Sequence, residues 1–340
     1  MDLRLLLESA QVDLPKIDIF SGIQPTGRLH LGNYLGAVQN WVRLQREKKT
    51  FFCIVDYHAL TTGPSSEEME ARTLALTADL LSCGIDPERS ALFAQSDLPE
   101  HLELYWILSC VTRFSELSRM TQFKEKGGGG RSVGLGLLNY PVLQAADILL
   151  YGAKEVPVGE DQIQHLEFTR EILRRFNARY GPLFEEVEVL VTRAGRVLSL
   201  SDPSSKMSKS QPAGCLFLDE GEASLRRKIR RAVTDSGSEG SLSAGVDNLV
   251  RILESVDPSG GQAARKAARD GSLRYGDLKE SVGRALQSVL EPIREERMRW
   301  EGRKGELEEI LASGARRARD VARPRLGAIR EAVGLPSCPR

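Results

Sequence analysis

Apolar positions in the first part of the chain alternate between short unbroken runs and longer stretches of helical spacing. Residues 17–23, Ile-Asp-Ile-Phe-Ser-Gly-Ile, predict a short buried strand. A loop of turn formers, Gln24 to Gly27, follows, and then Leu35, Val38, Trp41 and Val42 recur at helical spacing within 33–46. Residues 51–55 predict a second strand ending at Asp56, 67–83 an amphipathic helix, and 91–94 a third strand. This β-α-β-α-β order predicts an α/β fold, a parallel sheet with helices on both faces.

Helical spacing dominates 100–123. The glycine tract Gly127 to Gly130, with Gly134 and Gly136, predicts a mobile loop. A short apolar helix is predicted from Pro141 to Tyr151, another over 162–178, and strands over 187–191 and 196–200. Residues 201–213 are a polar loop rich in Ser, Pro and Lys. Beyond about 215 the strand-like runs thin out. Charged helical patterns over 222–233, 262–269, 277–290 and 293–313 predict a helical bundle. The expected organisation is an N-terminal extension over 1–15, an α/β domain over 16–214 and a helical domain over 215–340; there is no internal repeat.

With 340 residues, 41% of them hydrophobic, the chain can bury one large core or two smaller ones. A formal net charge of zero excludes a uniformly basic nucleic-acid coat but leaves room for a local basic patch. The five cysteines, Cys53, Cys83, Cys110, Cys215 and Cys338, form no C-x-x-C pair, so neither zinc nor an iron–sulfur cluster has local support. They read as reduced, mostly buried thiols. The N-terminus, Met1-Asp2-Leu3-Arg4 with Glu8 and Asp13, lacks the form of a signal or transit peptide, and no segment is apolar enough to span a bilayer. A soluble, cytoplasmic chain is expected.

Two segments carry chemistry. Thr26-Gly27-Arg28-Leu29-His30-Leu31-Gly32-Asn33 joins the first strand to its helix. A helix N-terminus offers free N–H groups and a positive dipole end to phosphate. Gly27 and Gly32 allow close approach, and His30 and Asn33 offer donors. Alone, this segment fits an ordinary strand–loop–helix turn equally well. It is no Walker loop, and no complete GxGxxG occurs. The second segment, Lys206-Met207-Ser208-Lys209-Ser210, sets two lysines in a Ser-rich loop. Lysines so placed can neutralise the charge that builds on a leaving pyrophosphate.

Together these segments resemble the HIGH and KMSKS signatures of class I aminoacyl-tRNA synthetases, with Asn33 in place of the final His of the first. The resemblance covers nearly the whole chain. It implies a Rossmann-like catalytic domain, ATP with magnesium held mainly by the phosphates and by no protein ligand, and in-line attack of an amino-acid carboxylate on the α-phosphate. Esterification of a tRNA ribose follows. Four further blocks resemble bacterial tryptophanyl-tRNA synthetases: Phe20 to Gly27, Ile54 to Thr61, Met120 to Lys126 and Val156 to Gln162.

By this resemblance His30, Asn33, Lys124, Lys126, Lys206 and Lys209 form the catalytic set. Gln24, Gly32, Asn33, Gly159, Asp161, Lys206, Met207, Ser208 and Lys209 bind ATP, with ribose and adenine held by backbone near Gly159 and Met207. Tyr140 and Gln162, with Asp161, hold the amino end of tryptophan, while Phe20, His58 and Gln144 wall its ring. Asp147 lies in the apolar run Gln144-Ala145-Ala146-Asp147-Ile148-Leu149-Leu150, where a carboxylate is costly unless paired. The resemblance assigns it to the indole N–H, a donor-only group.

The family implies a homodimer and tRNA(Trp) as partner. Arg226 to Arg231 and the run Arg316, Arg317, Arg319, Arg323, Arg325 and Arg330 are basic enough to agree. Such runs are also common on solvated helix faces. Gln144, polar where many relatives carry Met, keeps a tyrosine enzyme of the same class as a second reading. Gln211 replaces the Asp usual after the lysine loop. A paralogue with a regulatory role or an altered indole substrate is the third.

Overall fold

The computed structural model describes residues 14–121, 123, 134–159, 162–191, 197–234 and 242–336. Five strands, β1 (Ile19–Ile23), β2 (Thr50–Ile54), β3 (Ala91–Ala94), β4 (Glu155–Val158) and β5 (Glu188–Val191), form one parallel sheet in the order β3-β2-β1-β4-β5. The fold is Rossmann-like, with helices on both faces and a helical C-terminal region. The order reverses between β1 and β4, and in such sheets ligands bind outside the carboxyl ends of the strands at that point. The β1–β4 ladder is registered at Ile19 and Glu155, near the N-terminal ends, and Pro157 has no N–H to extend it.

Side-chain alternation sorts the strands onto two cores. Phe51, Cys53 and Phe93 pack on one face with α5 (Glu100–Ser109), α7 (Leu135–Leu149) and α8 (Ile163–Tyr180). Phe52, Ile54 and Leu92 face the other way, against Trp41 and α4 (Ser66–Ser82). The helix after β1 is not uniform. Leu31–Asn33 (α1) and Gln39–Leu44 (α2) flank a π-helical stretch, Tyr34–Val38. Shorter helices are α3 (Asp56–Ala59) and α6 (Phe114–Leu117).

The C-terminal part comprises α9 (Glu222–Arg231), α10 (Ala244–Val256), α11 (Pro258–Arg269), α12 (Tyr275–Arg299) and α13 (Lys304–Ala332). Leu225, Val246, Leu249, Val282 and Leu286 extend the core shared with Trp41 and Phe52, and α13 returns to lie along β3. That approach is backbone to backbone. A Cβ on Gly314 would lie 2.0 Å from the Leu92 carbonyl oxygen. Helix propensity alone favours alanine there by about 1 kcal/mol, but the clash outweighs it because neither backbone can yield. Gly314→Ala is expected to lower stability by about 3 kcal/mol, read as a fall in the urea midpoint at unchanged m-value. A rise would show that α13 is free to move off the sheet.

Several element boundaries differ from expectation. Pro141 and Pro292 lie inside helices rather than at their ends, and the last helix runs on past 313, through Pro324, to Ala332. Leu290 and Ile293 are buried on either side of Pro292, so packing offsets the cost of about 3 kcal/mol for an interior proline. The break falls instead at 300–303, where Gly302 is left-handed. The helix at 244–256, not expected, is capped by Ser243, whose Oγ accepts from the Val246 N–H. Residues 197–200 form no regular strand; Leu198 makes an isolated bridge to Lys206. Cys53, Cys83 and Cys215 are buried thiols, Cys110 is exposed, and Cys338 lies outside the described residues. Among the described residues no helix is long and apolar enough to cross a membrane.

Candidate active site

His30 is the N-cap of α1. Its Nδ1 accepts from the Asn33 N–H (3.3 Å), and the Asn33 side chain accepts from the His30 N–H (3.2 Å). This reciprocal cap turns the remaining ring edge of His30 toward the cavity described below. Gly32 packs closely beside it: a Cβ there would lie 3.0 Å from the ring, tighter than an ordinary contact. Burial, with the positive charges of Lys209 and Lys206, pushes the imidazolium pKa down from 6.5 to about 4. The unfolded chain therefore takes up this proton first. The stability contributed by neutral His30 is whole above pH 6.5 and is lost as the pH falls toward 4. In that window the urea midpoint is expected to fall more steeply for the parent than for His30→Asn. Parallel profiles would mean that the ring is not held neutral.

The first motif is joined by backbone to the segment that follows the lysine loop, far along the chain. Leu31 donates to Leu216 O (2.8 Å), and Leu218 donates to Leu29 O (3.0 Å). The lysine segment folds back on itself through Met207 N–H to Val197 O (3.0 Å) and Ser199 N–H to Ser205 O (3.0 Å). Asn248 of α10 pins that hairpin, accepting from Leu198 N–H (2.9 Å) and donating to Leu198 O (3.0 Å). Lys209 then reaches the first motif, donating to Thr26 Oγ1 (3.2 Å) and Gly27 O (3.1 Å). Burial lowers its pKa.

Between the motifs lies a cavity of about 390 Å³ lined by Ile23, Gln24, Thr26, Leu29, His30, Asn33, Met207, Ser208 and Lys209. Five of the residues expected around ATP, Gln24, Asn33, Met207, Ser208 and Lys209, are in this wall, together with His30 of the expected catalytic set. Lys206 is exposed on the hairpin, and Gly159 follows the last residue of β4. Lys124, Lys126 and Asp161 lie outside the described residues.

A second cluster is centred on Asp147, only 2% exposed. Tyr140, Gln144 and Asp147 are spaced i, i+4 and i+7 on α7 and so share a face. Asp147 Oδ2 pairs with His58 Nε2 at 2.8 Å, and Oδ1 accepts from Gln95 Nε2 and His101 Nδ1, each at 2.7 Å. Burial alone would raise this carboxyl, but the hydrogen bonds from His101 and His58 outweigh it and hold the pKa at about 2. The His58 ring stands edge-on to Tyr140, centroids 6.4 Å apart. Tyr140 Oη bonds His165 Nε2 at 2.6 Å. Gln144 is half-buried, and Gln162 precedes α8 at its N-cap position. Phe20 stacks on Tyr151 in the layer behind the carboxylate.

The sequence reading did not single out Gln95, His101 or Tyr151. A signal existed: the chain has four histidines, and all of them, His30, His58, His101 and His165, are buried in these two clusters. Among the described residues no group of three or more His, Cys, Asp or Glu side chains could hold a metal.

A doubly wound sheet that brings a capped helix N-terminus and a lysine loop to one cavity at its switch point has the architecture of a class I aminoacyl-tRNA synthetase. Residues 14–291 match the family of class I tRNA synthetases (W and Y), and the chain belongs to it. It is 47% identical over 324 residues to the tryptophan–tRNA ligase of Gloeobacter violaceus, covering 93% of this chain and 96% of that protein. The Clostridium tetani tryptophan–tRNA ligase is 43% identical over 329 residues, covering 94% and 96%. Among solved structures, tryptophanyl-tRNA synthetase from Campylobacter jejuni complexed with ADP and tryptophan superposes with a TM-score of 0.80 at 35% identity, covering 94% of this chain and 100% of that one. The Mycoplasma pneumoniae enzyme gives 0.85 at 32% identity, covering 95% and 99%. The tyrosyl-tRNA synthetase of Archaeoglobus fulgidus, 21% identical, shares the fold.

Proposed function

We propose that this chain is a tryptophan–tRNA ligase: it converts L-tryptophan and ATP to tryptophanyl-adenylate and pyrophosphate, then transfers the tryptophanyl group to tRNA(Trp). The observation that carries this reading is the closure of Lys209 onto Thr26 and Gly27 across a cavity that His30 and Asn33 also line. ATP with magnesium occupies that cavity, the metal being held mainly by the phosphates. No side chain acts as a nucleophile, because the substrate carboxylate attacks the α-phosphate. Positioning and charge neutralisation supply the rate. Lys206, Lys209, Lys124 and Lys126 act on the phosphates. Gly159 and Met207 hold ribose and adenine through backbone, with Asp161 in the same set. Asp147 accepts the indole N–H, and Tyr140 and Gln162 hold the amino end.

The helical region, 215–340, takes the tRNA. The basic run on α13 is largely engaged within the chain: Arg317 donates to Pro87 O and Ser90 O, Arg323 pairs with Glu100, and Arg330 pairs with Glu103. On α9, Arg226 and Arg227 are exposed but bonded to Glu222, Gln287 and Ser224, while the exposed Arg230 and Arg231 are better placed for phosphates. The enzyme acts in the cytoplasm as a homodimer. Support for the dimer comes from two large apolar side chains left exposed, Trp106 on α5 (68%) and Phe114 on α6 (71%).

ATP–pyrophosphate exchange with each of the twenty amino acids tests the reading. Tryptophan-dependent exchange supports it; tyrosine-dependent exchange, or none, overturns it.

A further inference from the structure

Asp147 can be treated as an accounting of acceptor positions. A carboxylate offers about four, two on each oxygen. Gln95 Nε2 and His101 Nδ1, both at 2.7 Å, occupy the two on Oδ1. His58 Nε2, at 2.8 Å, occupies one of the two on Oδ2. One position is left, on the oxygen that faces His58, whose ring stands against Tyr140.

The donors on Oδ1 come from two other elements and are themselves held. Tyr151 Oη lies 2.8 Å from His101 Nε2. Tyr151 and His101 are fully buried, and burial pushes the Tyr151 phenol well above its ordinary pKa, so it keeps its proton and donates it. Nε2 of His101 is then the acceptor, and the ring carries its hydrogen on Nδ1, where it meets Asp147. Phe93 and Phe51 pack against this pair, with centroids 5.3 to 6.3 Å apart. Gln95 is also fully buried. Its Oε1 has no hydrogen-bond partner, although its nitrogen is given to Asp147. An amide that leaves its own oxygen unpaired in the interior is oriented by the carboxylate.

We propose that Tyr151, His101 and Gln95 are positioning residues that use up Oδ1 of Asp147, so that side-chain selection rests on one N–H donor meeting the last position on Oδ2. This rests on the tryptophan reading above. A carboxylate held by three donors cannot turn to find a new partner. A ring of the same shape without an N–H therefore leaves that position empty inside a buried site, and the site rejects it. With a donor on Oδ1 removed, the carboxylate can rotate, and the penalty shrinks.

The experiment compares tryptophan with 3-benzothienylalanine, its sulfur isostere without the N–H, by kcat/KM in ATP–pyrophosphate exchange. His101→Ala is expected to lower the discrimination ratio about tenfold or more. His101→Asn, which keeps a donor near the position of Nδ1, retains it to within about threefold of the parent. Tyr151→Phe keeps the ring packing, loses only the hydroxyl, and falls between the two. It carries the test if His101→Ala does not fold. The KM for ATP is expected to change less than about twofold throughout, since a positioning role acts on the amino acid. If the ratio is unchanged in the His101 and Tyr151 variants but collapses in Asp147→Asn, the positioning role is wrong and the tryptophan reading stands. If Asp147→Asn also leaves the ratio intact, the assignment of Asp147 falls and this inference with it.

Discussion

Lys209→Ala is expected to slow tryptophan-dependent ATP–pyrophosphate exchange by about 10²–10³-fold, the usual cost of removing one preorganised group aimed at developing negative charge. The lysine is half-buried, and its ammonium already sits against Thr26 and Gly27, at the wall of the cavity that the first motif lines. In the proposed reaction the charge is thus in place before pyrophosphate begins to leave, and little reorganisation is needed in the transition state. The loss is expected in kcat, with the KM for tryptophan nearly unchanged, because Asp147 and its partners belong to a different cluster. Stability is expected to change little, since only two hydrogen bonds on a part-exposed loop disappear. Single-turnover adenylate formation measures the chemical step directly. A rate within about threefold of the parent would remove Lys209 from the catalytic set.

The second large effect is at Asp147. Asp147→Asn replaces an acceptor-only group with one that must present an NH₂ to donors from His58, Gln95 or His101. Either donor faces donor or the network turns over, and the position left for an indole N–H is lost. Sites built to hydrogen-bond a substrate N–H discriminate strongly, so kcat/KM for tryptophan is expected to fall by about 10²-fold or more, mainly through KM. Stability is expected to fall as well, by about 3 kcal/mol, because the buried donors lose their charged partner. The pH dependence follows the same logic. Burial disfavours the carboxylate, but hydrogen bonds from His101 and His58 hold its pKa at about 2 against an ordinary 3.8. The stability it contributes is whole above pH 3.8 and is lost as the pH falls through 2. Tryptophan affinity by calorimetry, with the urea midpoint of the same variant, separates the two losses. Unchanged affinity would end the indole-reader assignment.

Legibility followed sequence distance. His30 and Asn33 are three residues apart and form their cap locally, so motif and geometry are nearly the same statement. The runs at 17–23, 51–55 and 91–94 matched strands to within two residues; β2 and β3 are buried on both faces and so apolar nearly throughout, and β1 begins with the buried apolar pair Ile19 and Phe20. β4 was not foreseen. It is four residues long and contains Pro157, so neither length nor pattern marks it. The C-terminal helices were harder for a related reason. Proline is a local stop signal, yet Pro292 and Pro324 sit inside long helices whose flanking residues are buried by neighbours distant in the chain.

Local order along the chain was therefore sufficient for the α/β class, for the two motifs that meet at one cavity and for a carboxylate in need of a partner at Asp147. It could not name that partner. Gln95 follows β3, His101 lies on α5, His58 on α3 and Tyr151 just beyond α7, and only the packing of these elements brings the four together. The same holds for Lys209 and Gly27, separated by 182 residues and joined across one cavity. A hydrogen bond between distant residues imposes no period or spacing on the sequence, so what each side chain needs can be read from its surroundings in the chain, while what supplies it is decided by the fold.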